Sequence, residues 1–271
     1  MPYTKLKKLQ ETLQEMGRVV VAFSGGIDST FLLYVARDTL GKENVLAVTA
    51  DSETFPQREL EDCRELAKKL DVKHEIISTS EFAIPGYTEN KSDRCYLCRD
   101  NLFENLKPLL EQKNYSNIVF GLIADDMGEH RPGIIAAREH GVRGPLQEVE
   151  LYKQEIRQLS REIGLPNWDK PSYACLASRI SYQETITIKK LKMVDKAEEI
   201  IRDYGVRQVR VRMHGEMARI EVMPEDMSLI LKLHGTLQRE LTELGFKYVT
   251  LDLAGYKSGS MNAVLENVKT T

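Results

Sequence analysis

The 271-residue sequence has no apolar run approaching the length of a bilayer-crossing helix. Its N-terminal stretch, Met1 to Met16, lacks the long apolar core of a secretory signal. There Lys5, Lys7, Lys8 and Glu11 are interleaved with Leu6, Leu9 and Leu13, the pattern of an amphipathic helix. Basic charge is not in excess: the net charge is −3 at pH 7, which argues against a broad nucleic-acid-binding face. No internal repeat or low-complexity segment is present. Nor is there a Gly-Lys-Ser/Thr, which excludes the Walker A loop that holds β- and γ-phosphates. Cysteines number only four. What is present, 29% charged and 42% hydrophobic residues, is the balance of a globular protein with room for one large or two smaller domains.

The most informative stretch is Val19-Val20-Val21-Ala22-Phe23-Ser24-Gly25-Gly26-Ile27-Asp28-Ser29-Thr30, with Phe31 to Ala36 continuing at helical spacing. That order is strand, tight loop, helix N-terminus. Gly25 and Gly26 let the backbone approach a ligand, and the positive end of the following helix favours an anion. Ser24, Ser29 and Thr30 add hydroxyl groups. An ordinary tight connection would account for a bare Ser-Gly-Gly. The full Ser-Gly-Gly-x-Asp-Ser-Thr resembles the PP-loop of the ATP pyrophosphatase superfamily, whose members bind the pyrophosphate part of ATP and adenylate a substrate. ATP use implies a reducing, cytoplasmic setting, where thiols serve metals or chemistry more often than disulfides.

Helix 30–41, strand 44–51, helix 56–70, strand 73–78, helix 99–112 and strand 117–121 follow in alternation. Residues 145–150 read as a short strand or extended piece, and 152–163 as a helix stopped by Gly164 and Pro166. Strands alternating with helices predict an α/β fold with a doubly wound, mostly parallel sheet. In such a sheet Ser24, Asp51 and Asp125-Asp126 lie at the carboxyl ends of strands, where ligands sit. Asp51 and Asp125 are candidate neighbours of adenosine or magnesium, although each alone is equally readable as a cap or turn residue. Cys63 falls on the apolar face of helix 56–70 with Leu60, Ala67 and Leu70, as a core thiol does.

A domain change is expected near residue 185, giving an ATP-binding domain over 1–185 and a smaller α+β domain over 186–271. The latter reads as helix 187–204, strands 206–213 and 217–223, helix 225–244 and strand 246–252, with an antiparallel sheet. Val209, Val211 and Met213 alternate with Arg210, Arg212 and His214; Arg219 and Glu221 alternate with the apolar residues of the next strand. The polar face reads either as solvated or, through Arg210 and Arg212, as a fork for a phosphate or carboxylate. Glu198 lies beside the apolar stripe of its helix, where it could face a site or water.

Cys95-Tyr96-Leu97-Cys98 is a C-x₂-C pair, with Cys175 following 77 residues after Cys98. The spacing fits a metal centre, a dithiol pair or incidental thiols. Zinc would usually call for four protein ligands, whereas a 4Fe–4S cluster on three cysteines leaves one iron open to an exogenous ligand.

With these motifs, Cys175-Leu176-Ala177-Ser178-Arg179 and the ending Gly255-x-x-Ser258-Gly259-x-Met261-Asn262, the sequence resembles the LarE family of ATP-dependent sulfur transferases from about residue 6 to about 265. The resemblance implies a pyridinium-3,5-biscarboxylic acid mononucleotide substrate. Each carboxylate is adenylated by ATP–Mg²⁺ with loss of pyrophosphate, and sulfur then displaces AMP, in making the organic part of the nickel-pincer cofactor of lactate racemase. It places ATP and Mg²⁺ on Ser24, Gly25, Gly26, Asp28, Ser29, Thr30, Asp51 and Asp125, and the substrate near Ser178, Arg179, Glu198, Arg210 and Arg212. The simplest members carry only the counterpart of Cys175 and sacrifice its sulfur. Here Cys95 and Cys98 are additional and resemble the branch in which three cysteines hold a 4Fe–4S cluster whose free iron carries sulfide. Cys95, Cys98 and Cys175 are the implied ligands. The implied partners are a sulfide source or sulfur carrier and further copies of the chain in a homo-oligomer, with no nucleic acid or membrane. A tRNA thiolation enzyme shares the loop but should add a basic RNA-binding module. An amide-forming synthetase would not need the three cysteines, and a non-catalytic nucleotide- or metal-binding module is the alternative of a different kind.

Overall fold

The computed structural model describes residues 1–127, 132–171 and 173–262; residues 263–265 of the stretch that resembles LarE lie outside the described residues. The chain divides into two compact units. One comprises Met1–Glu81 and Cys95–Tyr173; the other comprises Phe82–Arg94 and the chain from Ala174 onward. The expectation placed the change near 185 with no exchange of segments. Residues 82–94 join the second unit through specific bonds. The buried Asn90 amide donates to the carbonyls of Ile180 (3.2 Å) and Ser181 (2.7 Å), and Ile186 N–H donates to Thr88 O (2.9 Å).

The first unit begins with α1 (Pro2–Met16), β1 (Val19–Ala22), α2 (Ile27–Leu40), β2 (Val45–Asp51), α3 (Gln57–Lys69) and β3 (Lys73–Ser78). It continues with α4 (Arg94–Lys113), β4 (Asn117–Phe120), α5 (Pro132–Glu139), α6 (Pro145–Glu148) and α7 (Lys153–Glu162). The strands form one all-parallel sheet in the order β3-β2-β1-β4, with Val19 opposite both Val45 and Asn117. Alternate residues of β1 serve opposite faces. Val19 and Val21 pack with Leu9, Leu13, Phe31 and Leu159, while Val20 and Ala22 pack with Leu46, Phe103 and Leu106. A strand covered on both sides must be apolar at every position, as this Val-rich run is. The expected doubly wound α/β architecture is therefore present.

Two local readings are corrected. Residues 145–150 hold a helical turn rather than a strand. Pro145 occupies the first helical position, where its fixed φ and missing N–H cost nothing, and Val149 N–H returns to Pro145 O at 3.2 Å. The helix expected from 99 begins at Arg94, so Cys95 and Cys98 lie on its first turns.

In the second unit α8 (Ile188–Asp203) is capped by the Thr187 hydroxyl, which accepts Lys190 N–H at 3.2 Å, and it packs on β5 (Val209–His214). β6 (Met217–Val222), α9 (Met227–Lys232), α10 (His234–Glu243) and β7 (Tyr248–Leu251) follow. β5 and β6 form an antiparallel hairpin, but β7 runs parallel to β6, so the sheet is mixed rather than antiparallel. The single helix expected over 225–244 breaks at Leu233, where His234 Nδ1 donates to Leu231 O at 3.0 Å and competes with helical bonding. Among the described residues no helix is long and apolar enough to cross a membrane.

Candidate active site

The loop Ser24–Gly26 joins the central strand β1 to α2. Gly25 has φ +67°, and a Cβ there would stand 2.9 Å from Cys63 Sγ, so both conformation and space require glycine. Gly26, the N-cap residue, has no side chain to accept from the first amides of α2, so no capping side chain occupies that helix end. The hydroxyls of Ser29 and Thr30 both donate to Gly26 O, at 3.0 and 2.9 Å, and so brace the loop; Ser29 Oγ also lies 3.2 Å from Ser24 Oγ. Asn167 holds the loop from outside, its amide donating to Gly25 O (3.1 Å) and Thr30 Oγ1 (2.9 Å). Close by in sequence, Lys170 is pinned by Glu59 (2.8 Å) and Asp62 (2.7 Å) of α3.

Asp28 lies in the first turn of α2, with Oδ2 2.6 Å from Lys153 Nζ and Oδ1 buried without a partner. Burial pushes its carboxyl above the usual range, Lys153 pulls it down in part, and the charge of Asp126 adds to the rise. Asp125 Oδ2 accepts the backbone N–H of Lys153 at 2.7 Å. Asp126 Oδ2 closes its own turn on Ile123 N–H at 3.0 Å, and Asp51 Oδ1 accepts from Gln57 Nε2 at 3.3 Å. Lys153 and Asn167 carry no signature in the sequence. The one hint is position, since each flanks a helix or loop that the parallel topology returns to the carboxyl edge of the sheet.

None of the four cysteines is in a disulfide. Cys63 is buried in the core, as expected, and burial pushes its thiol up to about 12. Cys95 and Cys98, three residues apart on the first turns of α4, share one side of that helix and are exposed and half-buried respectively. Cys98 Sγ donates to Glu81 Oε1 at 3.7 Å, an oxygen that also accepts from Ser52 (3.0 Å) and Thr54 (3.3 Å). The half-buried Cys175 begins the short turn Leu176–Arg179, where its carbonyl accepts from Ser178 N (3.0 Å), Ser178 Oγ (2.8 Å) and Arg179 Nη1 (3.1 Å). Cys95 and Cys98 belong to the first unit and Cys175 to the second. Within either unit, no three His, Cys, Asp or Glu side chains among the described residues are gathered for a metal ion. Cys95, Cys98 and Cys175 are each outside any disulfide and none is fully buried, in contrast to Cys63.

The polar face of β5 and β6 is buried rather than solvated. Arg179 and Glu198 are both fully buried and pair twice, Nε to Oε1 at 2.8 Å and Nη2 to Oε2 at 3.0 Å. Arg179 Nη1 also donates to Ala174 O and Ser178 Oγ. Glu198 further accepts Val211 N–H (3.1 Å) and Arg202 Nη1 (3.2 Å). Burial alone would raise its carboxyl, but Arg179, Arg210 and Arg202 bring it below the ordinary range. Arg212 donates to Glu221 Oε2 (3.0 Å), Ser178 O (3.2 Å) and Ser260 Oγ (3.2 Å). Arg210 lies over the Tyr256 ring at 5.4 Å and is lowered to about 10 by burial and by the neighbouring Arg179. The structure thus gathers Ser178, Arg179, Glu198, Arg210 and Arg212 with the segment containing Tyr256 and Ser260.

A parallel sheet whose central strand feeds a glycine loop into a helix N-terminus, with acids at the strands' carboxyl ends, is a PP-loop nucleotide-binding α/β domain. The family described as NAD synthase matches residues 4–122. The chain is 44% identical to an uncharacterised protein of Synechocystis sp., over 97% of this chain and 98% of that one. To pyridinium-3,5-bisthiocarboxylic acid mononucleotide synthase of Lactiplantibacillus plantarum it is 37% identical, over 97% of this chain and 95% of that one. An NH3-dependent NAD+ synthetase of Pyrococcus horikoshii is 25% identical over 74% of this chain and 83% of its own. The chain belongs to the LarE family, that of the pyridinium-3,5-bisthiocarboxylic acid mononucleotide synthase.

Proposed function

We propose that the protein is an ATP-dependent sulfur transferase that converts the carboxylates of pyridinium-3,5-biscarboxylic acid mononucleotide to thiocarboxylates through acyl-adenylates. The observation that carries this reading is the 37% identity, over nearly the full length of both chains, to a synthase named for that bisthiocarboxylic product. The loop chemistry agrees with it. A carboxylate resists substitution until one oxygen becomes a good leaving group, and AMP is such a group. The substrate carboxylate attacks the α-phosphorus of ATP, and pyrophosphate departs onto the amides of the Ser24–Gly26 loop and the start of α2. Ser29, Thr30 and Asn167 keep that loop rigid, so the donors do not reorganise as charge develops.

Asp28, with its second oxygen buried and unpartnered, suits Mg²⁺, with Asp51 and Asp125 as the other candidate carboxylates; Mg²⁺ would offset the phosphate charge. Arg210 and Arg212 are proposed as the seat for the anionic substrate's phosphate. Ser178 and Arg179 fix the backbone of Cys175, and Glu198 holds Arg179. A sulfur nucleophile then attacks the acyl carbon and AMP leaves. Cys95, Cys98 and Cys175 are proposed to hold a 4Fe–4S cluster, which when bound supplies an iron site open to exogenous sulfide. Cys63, buried in the core, is left out of that set.

Protein purified without oxygen is to be analysed for iron and acid-labile sulfide, then given ATP, Mg²⁺, sulfide and the pyridinium substrate. The reading expects near four iron atoms per chain, several thiocarboxylates per chain and an unchanged Cys175 mass. Conversion of Cys175 to dehydroalanine with at most one product per chain would instead identify it as a sacrificial donor.

A further inference from the structure

His214 closes β5 on the same face as Arg210 and Arg212, and the neighbouring strand adds Arg219 and Glu221 to that face. The turn after Cys175 runs back beside it: Ile180 bridges Met213, and Ser181 N–H donates to Met213 O at 3.2 Å. Ser181 Oγ also donates to Met213 O, at 2.9 Å, and lies 2.8 Å from His214 Nδ1. A hydroxyl has one proton, and here Met213 O takes it. The short contact to the ring is therefore an Nδ1–H donated to Ser181 Oγ. In the neutral ring this leaves the lone pair on Nε2, and that nitrogen is buried without a hydrogen-bond partner. The charges around the ring are Arg212 on its own strand, Arg219 and Glu221 on β6, and Glu184, which accepts the next residue's N–H, that of Gly215, at 2.8 Å. Burial and Arg219 keep the imidazole below its ordinary range, Glu184 and Glu221 oppose them, and Arg212 adds to the lowering. A phosphate monoester carries about 1.5 to 2 negative charges at pH 7. Docked on Arg212, it would offset the cations that keep the ring neutral and would offer Nε2 an acceptor.

We propose that His214 is a third phosphate-binding residue of the arginine face, neutral in the empty chain and protonated when a phosphate monoester docks on Arg212. The proton comes from solvent and settles on Nε2, which donates it to a phosphate oxygen in a charge-assisted bond. Ser181 keeps its hydrogen bond from Nδ1 throughout, because Nδ1–H is present in both forms of the ring. A ligand without the phosphate leaves the ring neutral. Affinity for the phosphorylated ligand is then highest on the acid side of the bound ring's titration and falls as pH rises through it. The inference rests on the reading that Arg210 and Arg212 seat the substrate's phosphate, and it names the residue that makes that binding depend on pH.

The probes are nicotinamide mononucleotide, a pyridinium mononucleotide, and nicotinamide riboside, which lacks the phosphate. Wild-type protein is compared with His214→Asn and His214→Gln, each checked for folding by thermal melting. Calorimetry in buffers of different ionisation enthalpy counts the protons taken up, and affinities are measured from about pH 6.5 to about pH 8.5. Wild-type protein is expected to take up about half a proton per mononucleotide near pH 7.5 and to lose about threefold or more in affinity across that range. His214→Asn keeps an N–H for Ser181 Oγ but does not titrate. It is expected to take up no proton, to bind about fivefold more weakly near pH 6.5 and to approach wild-type affinity near pH 8.5. His214→Gln is expected to lose the pH dependence in the same way, and the riboside to bring no proton uptake in any of the three. Equal losses of affinity at every pH in both variants, the mark of a purely structural histidine, overturn the proposal. Should both variants fail to fold, magnetic resonance of the wild-type imidazole protons decides. One of the five histidines must then titrate at higher pH with the mononucleotide and not with the riboside, and its absence contradicts the proposal. Wild-type protein that binds no mononucleotide would overturn the reading of the phosphate seat and this inference together; binding without proton uptake overturns the inference alone.

Discussion

Arg179 and Glu198 form a two-pronged ion pair with no solvent exposure on either side chain, joining the turn after Cys175 to α8. The same carboxylate accepts a backbone N–H of β5, so one acid ties together three elements of the second unit. Breaking a buried pair from one side strands a charge, at a cost of about 3–5 kcal/mol. Glu198→Ala is therefore expected to lower unfolding stability by roughly that amount in guanidinium titrations. The sign of the pH dependence follows from the folded carboxyl lying below its ordinary value of 4.5. The stabilisation is present above that value and is lost as pH falls through the lower folded one. Wild-type protein should lose stability more steeply with acid below pH 4.5 than a Glu198→Gln variant, whose amide does not titrate there. Parallel acid limbs would contradict this account.

Gly25 and Cys63 make a second testable contact. Gly25→Ala introduces a Cβ at φ +67° and 2.9 Å from Cys63 Sγ. The left-handed conformation alone costs about 1–2 kcal/mol. Its larger effect is on ATP, whose affinity should fall tenfold or more as the loop shifts. Adding Cys63→Ala relieves the clash but not the backbone strain, so the double variant should recover part of the affinity. Full recovery would show that sterics alone matter, and none would show that the contact is irrelevant.

Thiol chemistry separates the cysteines. In metal-free protein Cys95, Cys98 and Cys175 should react with a disulfide reagent within minutes, while Cys63 reacts only on unfolding. Its thiol is buried and raised to about 12. Peptide mapping of the labelled sites checks this, and early labelling of Cys63 would contradict its placement in the core.

Cys95→Ser and Cys175→Ser should divide the reaction. Each is expected to abolish repeated thiocarboxylate formation while keeping substrate-dependent pyrophosphate exchange within about threefold of wild type, since adenylation is assigned to the loop and not to the thiols. Loss of exchange in both would place the cysteines in the adenylation site.

The phosphate loop and the four parallel strands are legible in the sequence because their signals are local: a Val-rich run, two glycines, and apolar spacing that changes period at Ile27. Residues whose meaning depends on distant partners are not. The arginines of β5 alternate like a solvated face, yet both are buried: Glu198 accepts the Val211 N–H between them and sets its charge near Arg210, while Glu221 and Ser260 accept from Arg212. The parallel pairing of β7 with β6 is likewise a non-local choice, unmarked by the residues of either strand. Pro145 misleads in the opposite way, since proline and valine suggest extended chain while the first helical position accepts proline freely. Lys153 shows nothing by itself; only the fold brings it against Asp28.

The central claim is that this chain activates a pyridinium carboxylate with ATP. Exchange of labelled pyrophosphate into ATP, measured with and without pyridinium-3,5-biscarboxylic acid mononucleotide, tests it most directly. The account predicts exchange that requires the substrate and Mg²⁺ and survives removal of iron. No exchange with the pyridinium compound under any loading of metal would contradict it.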